Sequence, residues 1–146
     1  MSTDDTIGTW VIDPENSRSL RLKMIRKCKQ QRRPVDVILE AEELLDVDPS
    51  CSEALFYLGE ASLQVGNIAG AMQAFEQHIS LTGDLSVDVE IGVAMVHFEQ
   101  CDLPTAEKTI RSAIKRAPHA AQAHFILGLI LELKDSGKRE TAAAFM

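Results

Sequence analysis

The stretch from Ser52 to Asp84, SEALFYLGEASLQVGNIAGAMQAFEQHISLTGD, decides the fold. Its apolar and small residues fall at Leu55, Leu58, Gly59, Ala61, Ala71, Ala74, Phe75 and Ile79, a three-to-four spacing on either side of a break at Gly66-Asn67. That spacing predicts two amphipathic helices, near 52–65 and 68–82, joined by a tight turn. One such hairpin cannot bury its own apolar face, so copies of it are to be sought along the chain.

The pattern recurs at a period of 34 residues. Upstream, Met24-Ile25 and Ala41 fall in register with Leu58-Gly59 and Phe75, and Pro49 closes the unit. Downstream, one extra residue brings Val93-Ala94, Ala106, Ile110, Ala113 and Pro118 into the same slots, and Leu127-Gly128 opens a further unit. Gly59, Ala71 and Phe75, then Ala106, Ala113 and Pro118, then Leu127-Gly128 follow the order of small, aromatic and proline positions that marks the tetratricopeptide repeat family, which the chain resembles. Ser62, His78, Glu90 and His97 depart from that pattern. The resemblance implies an all-α, right-handed superhelix of stacked antiparallel helix pairs, with full repeats at 18–51, 52–85 and 87–120, a partial fourth at 121–146, and an extension over 1–17. At least three such pairs must stack to form a continuous core.

At 146 residues the chain suffices for one domain that removes roughly 70% of its unfolded surface from water. No apolar run of 18 residues occurs, and the start, MSTDDTIG, is acidic, so neither a membrane span nor a secretory signal is expected. Cys28, Cys51 and Cys101 are odd in number and lack metal-type spacing, which fits reduced thiols in a cytoplasmic compartment.

Working outward to the N-terminus, Ile7, Trp10, Val11 and Ile12 form a short apolar patch ahead of Asp13-Pro14, an N-cap and first-turn proline. The patch is expected to staple the exposed side of the first helix, or to lie in the protein's own groove as a ligand mimic. The first helix, from about Pro14 to Gln30, begins a basic cluster of Arg18, Arg21, Lys23, Arg26, Lys27, Lys29, Arg32 and Arg33. From Pro34 to Glu107 there is no Lys or Arg, while fifteen Asp and Glu residues occur. Charge separated in this way either solvates exposed helix faces or favours head-to-tail association and docking of a basic partner. Arg18, Arg21, Arg26, Lys27, Arg32 and Arg33 form a candidate anion or self-association patch. Nucleic acid is disfavoured, because no aromatic residue is interleaved for base stacking and the net charge is −7.

Further signals mark the turns. The second helix spans about Val35 to Val47, and Ser50 with Glu53 reads as a capping box for the next one. A helix near 86–99 precedes a turn at Gln100-Cys101, and Asp102-Leu103-Pro104 starts its partner. The segment from His124 to Leu133 is apolar nearly all round, and Thr141 to Phe145 is expected to begin a partner helix with Phe145 in the slot of Phe75. An apolar end of this kind predicts continuation in a longer protein or cover by another subunit, with Ile130, Leu133 and Phe145 as candidate interface residues.

Chemistry has little foothold. No nucleophile with a base and an orienter is evident, no glycine-rich phosphate loop is present, and Glu42-Glu43 reads as a solvated pair. His97 and Cys101, four apart, are two ligands and not a metal site. No enzyme activity, cofactor or metal is expected.

The resemblance assigns the concave face to the first helix of each repeat. The matching positions are Leu22 and Arg26; Glu53, Phe56, Glu60, Leu63 and Gln64; Asp88, Ile91, Met95, Phe98 and Glu99; and Gln122, Phe125, Leu129, Glu132 and Leu133. The lysine and asparagine clamp by which some family members hold a terminal carboxylate is absent, since Leu22, Arg26, Tyr57, Asp88 and Gly92 stand there. The expected function is a non-catalytic adaptor or scaffold that binds a protein segment with apolar anchors and basic flanks. Phe56, Glu60, Leu63, Ile91, Met95, Phe98, Glu99, Phe125 and Leu129 form the expected contact set. Small size and acidity also fit a resemblance to bacterial type III secretion chaperones, and the apolar C-terminal hairpin fits a self-assembly module.

Overall fold

The computed structural model describes residues 14–83 and 85–144, with side chains described for 16–83 and 85–137. Seven helices follow one another: α1 (Pro14–Gln30), α2 (Pro34–Val47), α3 (Ser52–Gln64), α4 (Ile68–Thr82), α5 (Val87–Glu99), α6 (Leu103–Arg116) and α7 (Ala121–Ala144). No strand occurs among the described residues.

Local chemistry sets most boundaries. Arg32 adopts a left-handed φ of 56° after α1, and Pro34 opens α2 at a position that needs no amide donor. Gly66, at φ 86°, turns the chain after α3, and the Asn67 side chain then caps α4 by accepting from the Gly70 amide at 3.0 Å. Gly83, at φ 67°, ends α4. Ser86 and Asp102 cap α5 and α6 through the amides of Val89 and Thr105.

Two expectations are corrected. The Ser50–Glu53 capping box does not form, because the N-cap of α3 is Cys51 and Ser50 stands one residue too early. The Ser50 hydroxyl donates instead to Asp48 Oδ1 at 3.0 Å, and Glu53 pairs with Arg26. Nor does a new helix begin at Thr141, since α7 continues through that point to Ala144. Between Leu133 and Thr141 the sequence KDSGKRE holds only a single glycine as a breaker, and one mid-helix glycine costs about 1 kcal/mol, too little to force a turn. The predicted Asp13 cap, the Trp10 patch and Phe145 lie outside the described residues.

Each helix packs on its sequence neighbour, and α1 on α3, α3 on α5 and α5 on α7 also touch. Among the described residues the backbones of the intervening helices α2, α4 and α6 do not come close to one another. Between α2 and α4 an open cleft is lined by Leu45, Pro49, Leu55, Gln77, Ser80 and Leu81. Close approach on one side and splaying on the other curve the stack, so α1, α3, α5 and α7 form its inner row.

The core runs through the stack in three clusters. Leu22, Ile25, Val37, Ala41, Leu44 and Ala54 join α1, α2 and α3. Ala71, Phe75, Val89 and Val96 join α4 to α5, and Ala94, Ala106, Ile110, Ala123, Ile126 and Ile130 join α5, α6 and α7. Ile130, expected at an oligomer interface, is wholly buried inside this last cluster, while Leu133 is 48% exposed. Phe75 is the tightest element. An added Cβ on Gly59 or on Gly92 would stand 2.6 Å from the Phe75 ring, so both glycines exist as the space the ring fills.

Ion pairs tie the helices together on the surface. Glu107 on α6 accepts from Lys134 on α7 at 2.6 Å and from Arg111 at 2.9 Å. These contacts, Lys134 first, hold the Glu107 carboxyl below its usual range. A depressed carboxylate contributes stability above its unfolded pKa and loses it as pH falls through the folded value. The gap in thermal midpoint between wild type and Lys134→Met should therefore be largest above about pH 5 and close in acid. A gap that stays constant with pH would assign the effect to packing of the lysine stem.

Candidate functional site

The inner row encloses a groove of about 320 Å³. Phe56, Glu60, Leu63 and Gln64 reach it from α3, and Asp88, Ile91, Gly92 and Met95 from α5. Helical periodicity explains the grouping, because residues three, four and seven apart share a face. Lys29 of α1 closes one end and Gln122 of α7 the other.

Five of the nine expected contact residues, Phe56, Glu60, Leu63, Ile91 and Met95, line this groove. Ile91 is 5% exposed and acts as floor, whereas Phe56, Leu63 and Met95 are half-buried walls. Phe98 is half-buried against the α5–α6–α7 cluster, Leu129 is half-buried, and Glu99 is exposed. Phe125, 67% exposed, stands on the uncovered side of α7.

Charge is arranged differently from the linear reading. The basic cluster and the acidic middle, separate in sequence, meet across α1, α2 and α3. Arg26 donates to Glu53 at 2.8 Å, Lys29 to Glu60 at 2.8 Å and Arg21 to Glu43 at 3.2 Å, while Arg18 pairs with Asp48 and Arg33 with Asp36. Of the candidate anion patch, only Lys27 and Arg32 have no ion pair among the described residues. Glu53 and Glu60, two carboxylates at the expected concave-face positions, are therefore answered within the chain. Asp88 and Glu99 are exposed and have no ion-pair partner among the described residues. Glu90, at a slot expected to be apolar, is buried and pairs with Arg116 at 3.4 Å.

A second hollow of about 190 Å³ adjoins the groove, lined by Glu53, Phe56, Tyr57, His78, Ser86, Asp88 and Val89. Phe56 and Asp88 belong to both depressions and form the partition between them. Phe56 meets Tyr57 edge-on at 5.9 Å and lies 6.1 Å from the His78 ring. His78 Nδ1 lies 2.8 Å from the Ser52 carbonyl, which orients the imidazole. Lys29 Nζ sits 5.9 Å from the Phe56 centroid and 5.3 Å from that of Tyr57. The Arg26 guanidinium is held above its ordinary pKa by the Tyr57 hydroxyl and then by Glu53. His78 escaped the sequence reading because the repeat period assigns it to packing, and its companions in the hollow come from α3, the α4–α5 turn and α5.

Among the described residues no group of three His, Cys, Asp or Glu side chains is arranged to hold a metal ion, and no helix is long and apolar enough to cross a membrane. No curated protein matches the chain by sequence. Solved structures resemble it in fold. A Thermobaculum terrenum O-GlcNAc transferase mutant superposes with a TM-score of 0.73 at 18% identity, over 82% of this chain and 23% of that one. The first TPR domain of the human RPAP3 protein gives 0.71 at 16% identity over 84% of this chain and 95% of the other. A thermophilic TPR protein of Thermus thermophilus gives 0.70 at 19% identity, over 87% and 70% of the two chains. At these identities the likeness speaks to fold. The chain thus spans less than a quarter of the first of these relatives and most of the other two. The tetratricopeptide repeat pattern itself matches residues 38–84 and 94–145, more than half of the chain, and together with the helix-pair stack it shows that this protein belongs to the tetratricopeptide repeat family.

Proposed function

We propose that this protein is a non-catalytic adaptor that holds a segment of another protein in the groove between α3 and α5. One observation carries the reading. The groove is an open trough lined by an apolar row, Phe56, Leu63, Ile91 and Met95, and by polar side chains in nearly equal measure, Lys29, Glu60, Gln64, Asp88 and Gln122. Such a row takes the apolar anchors of an extended or helical segment, and the polar side chains satisfy its backbone and flanks. Proteins of this family generally bind other proteins, and the length of the trough, crossing from α1 to α7, suits a peptide better than a small metabolite.

Met95→Glu places a charge on the wall without touching the Phe75 lock. Affinity capture from native lysate with wild type and with this variant, both verified as folded by circular dichroism, is the test. Partners held in the groove should bind the variant at least about tenfold more weakly, the effect of losing one central anchor. Equal capture by both proteins would place partner binding on another face.

A further inference from the structure

Resting on that reading, and extending it to the chemistry of the partner, we propose that the hollow beside the groove receives an arginine side chain of the bound segment. The hollow combines three features that a guanidinium uses together. Aromatic rings of Phe56, Tyr57 and His78 supply faces on which its plane can stack. Asp88, exposed and without an ion-pair partner among the described residues, supplies a carboxylate for its forked donors. The 190 Å³ of space suits one long side chain, not a larger group.

The molecule already binds cations in this neighbourhood with its own residues. Lys29 lies against the Phe56 and Tyr57 rings, and Arg26 donates to both the Tyr57 hydroxyl and Glu53 at 3.3 and 2.8 Å. Those two cations satisfy Glu53 and Glu60 and leave Asp88 as the hollow's carboxylate without an ion-pair partner among the described residues. The start of α5 would by itself favour an anion. Ser86 Oγ, however, already accepts from the Val89 amide, and the Asp88 carboxylate lies in that first turn, so the local field favours a cation.

Because Phe56 and Asp88 separate the hollow from the groove, the geometry also sets a pattern in the ligand. An arginine that enters the hollow brings a near neighbour in its own chain over Leu63, Ile91 and Met95. The preferred partner segment thus carries arginine close to a large apolar residue, the arginine on the side nearer His78 and Ser86.

The probe for the test is N-acetyl-arginine amide, with N-acetyl-citrulline amide as its neutral isostere. Titrated into the whole 15N-labelled protein, the arginine probe should shift amide resonances around Phe56, Tyr57, His78 and Asp88 in a saturable way, and the citrulline probe should not. Asp88→Asn should weaken the arginine probe about threefold to fivefold, the scale of a partly exposed ion pair, while Glu99→Gln should leave it unchanged. Equal shifts from both probes, shifts confined to other helices, or indifference to Asp88→Asn would overturn the assignment. The two readings fail separately. Loss of capture in Met95→Glu without any arginine response at the hollow sinks only this inference. An arginine response at the hollow with full capture by Met95→Glu sinks the groove reading.

Discussion

Phe75→Ala is expected to lower the free energy of unfolding by about 3–5 kcal/mol, the range for truncating a fully buried aromatic side chain. The ring has no exposed surface and fills the space between Gly59 on α3 and Gly92 on α5. Its loss leaves a cavity that backbone from three helices must close, and helices already packed through alanines have little freedom to collapse into it. Against a typical total of about 5–15 kcal/mol, one substitution removes a large fraction. The consequence reaches beyond the midpoint. Stacked repeats are stable through their nearest-neighbour interfaces, and Phe75 belongs to the interface that couples the second helix pair to the third. Urea unfolding followed by far-ultraviolet circular dichroism should show a lower midpoint and a broader transition. An unfolding free energy within about 1 kcal/mol of wild type, close to the uncertainty of the extrapolation, would mean that the ring is not the lock described.

Gly59→Ala carries the second large effect, and its sign is the informative part. On helix propensity alone, alanine in place of a mid-helix glycine stabilises by about 1 kcal/mol. Here the new methyl group would meet Cε1 of Phe75 at 2.6 Å and Cδ1 and Cζ at 2.8 Å, closer than carbon atoms approach. The ring has little room to retreat, since it also packs on Gly92, where an added Cβ would likewise stand 2.6 Å from it. Overpacking of this kind costs about 1–3 kcal/mol, so the propensity gain is cancelled and the net change is a destabilisation of up to about 2 kcal/mol. Combining Gly59→Ala with Phe75→Leu should recover part of the loss, because the smaller side chain makes room for the methyl group. Strict additivity of the two substitutions would show that they do not share a contact.

The same residues explain why the fold was legible in sequence. Gly59 and Phe75 are a small and a large residue at a fixed separation, a complementarity that any hairpin of this shape must meet, so it recurs along the chain and can be found by period alone. The helix pairs, their turns and five groove residues follow from that register. What was not legible depended on contacts between distant positions or on a register of one residue. The capping box failed because α3 begins one residue later than the Ser50 signal implies. The C-terminal hairpin failed because Gly137 is too weak a breaker for α7, and the basic cluster looked free because its partners, Asp48, Glu53 and Glu60, lie about 30 residues away in the chain. The hollow is the extreme case, with residues from α3, α4, the α4–α5 turn and α5 and no periodic relation among them.

The unbroken course of α7 has a mechanical meaning. Its 24 residues measure about 36 Å, against about 21 Å for the 14 residues of α6. Lys134 is tied to Glu107 of α6, and the ten positions from there to Ala144 carry the helix about 15 Å further. A rod of that length works as a ruler and a protractor at once. Each residue inserted after Lys134 would move anything attached at its far end by about 1.5 Å and turn it by about 100° relative to the groove.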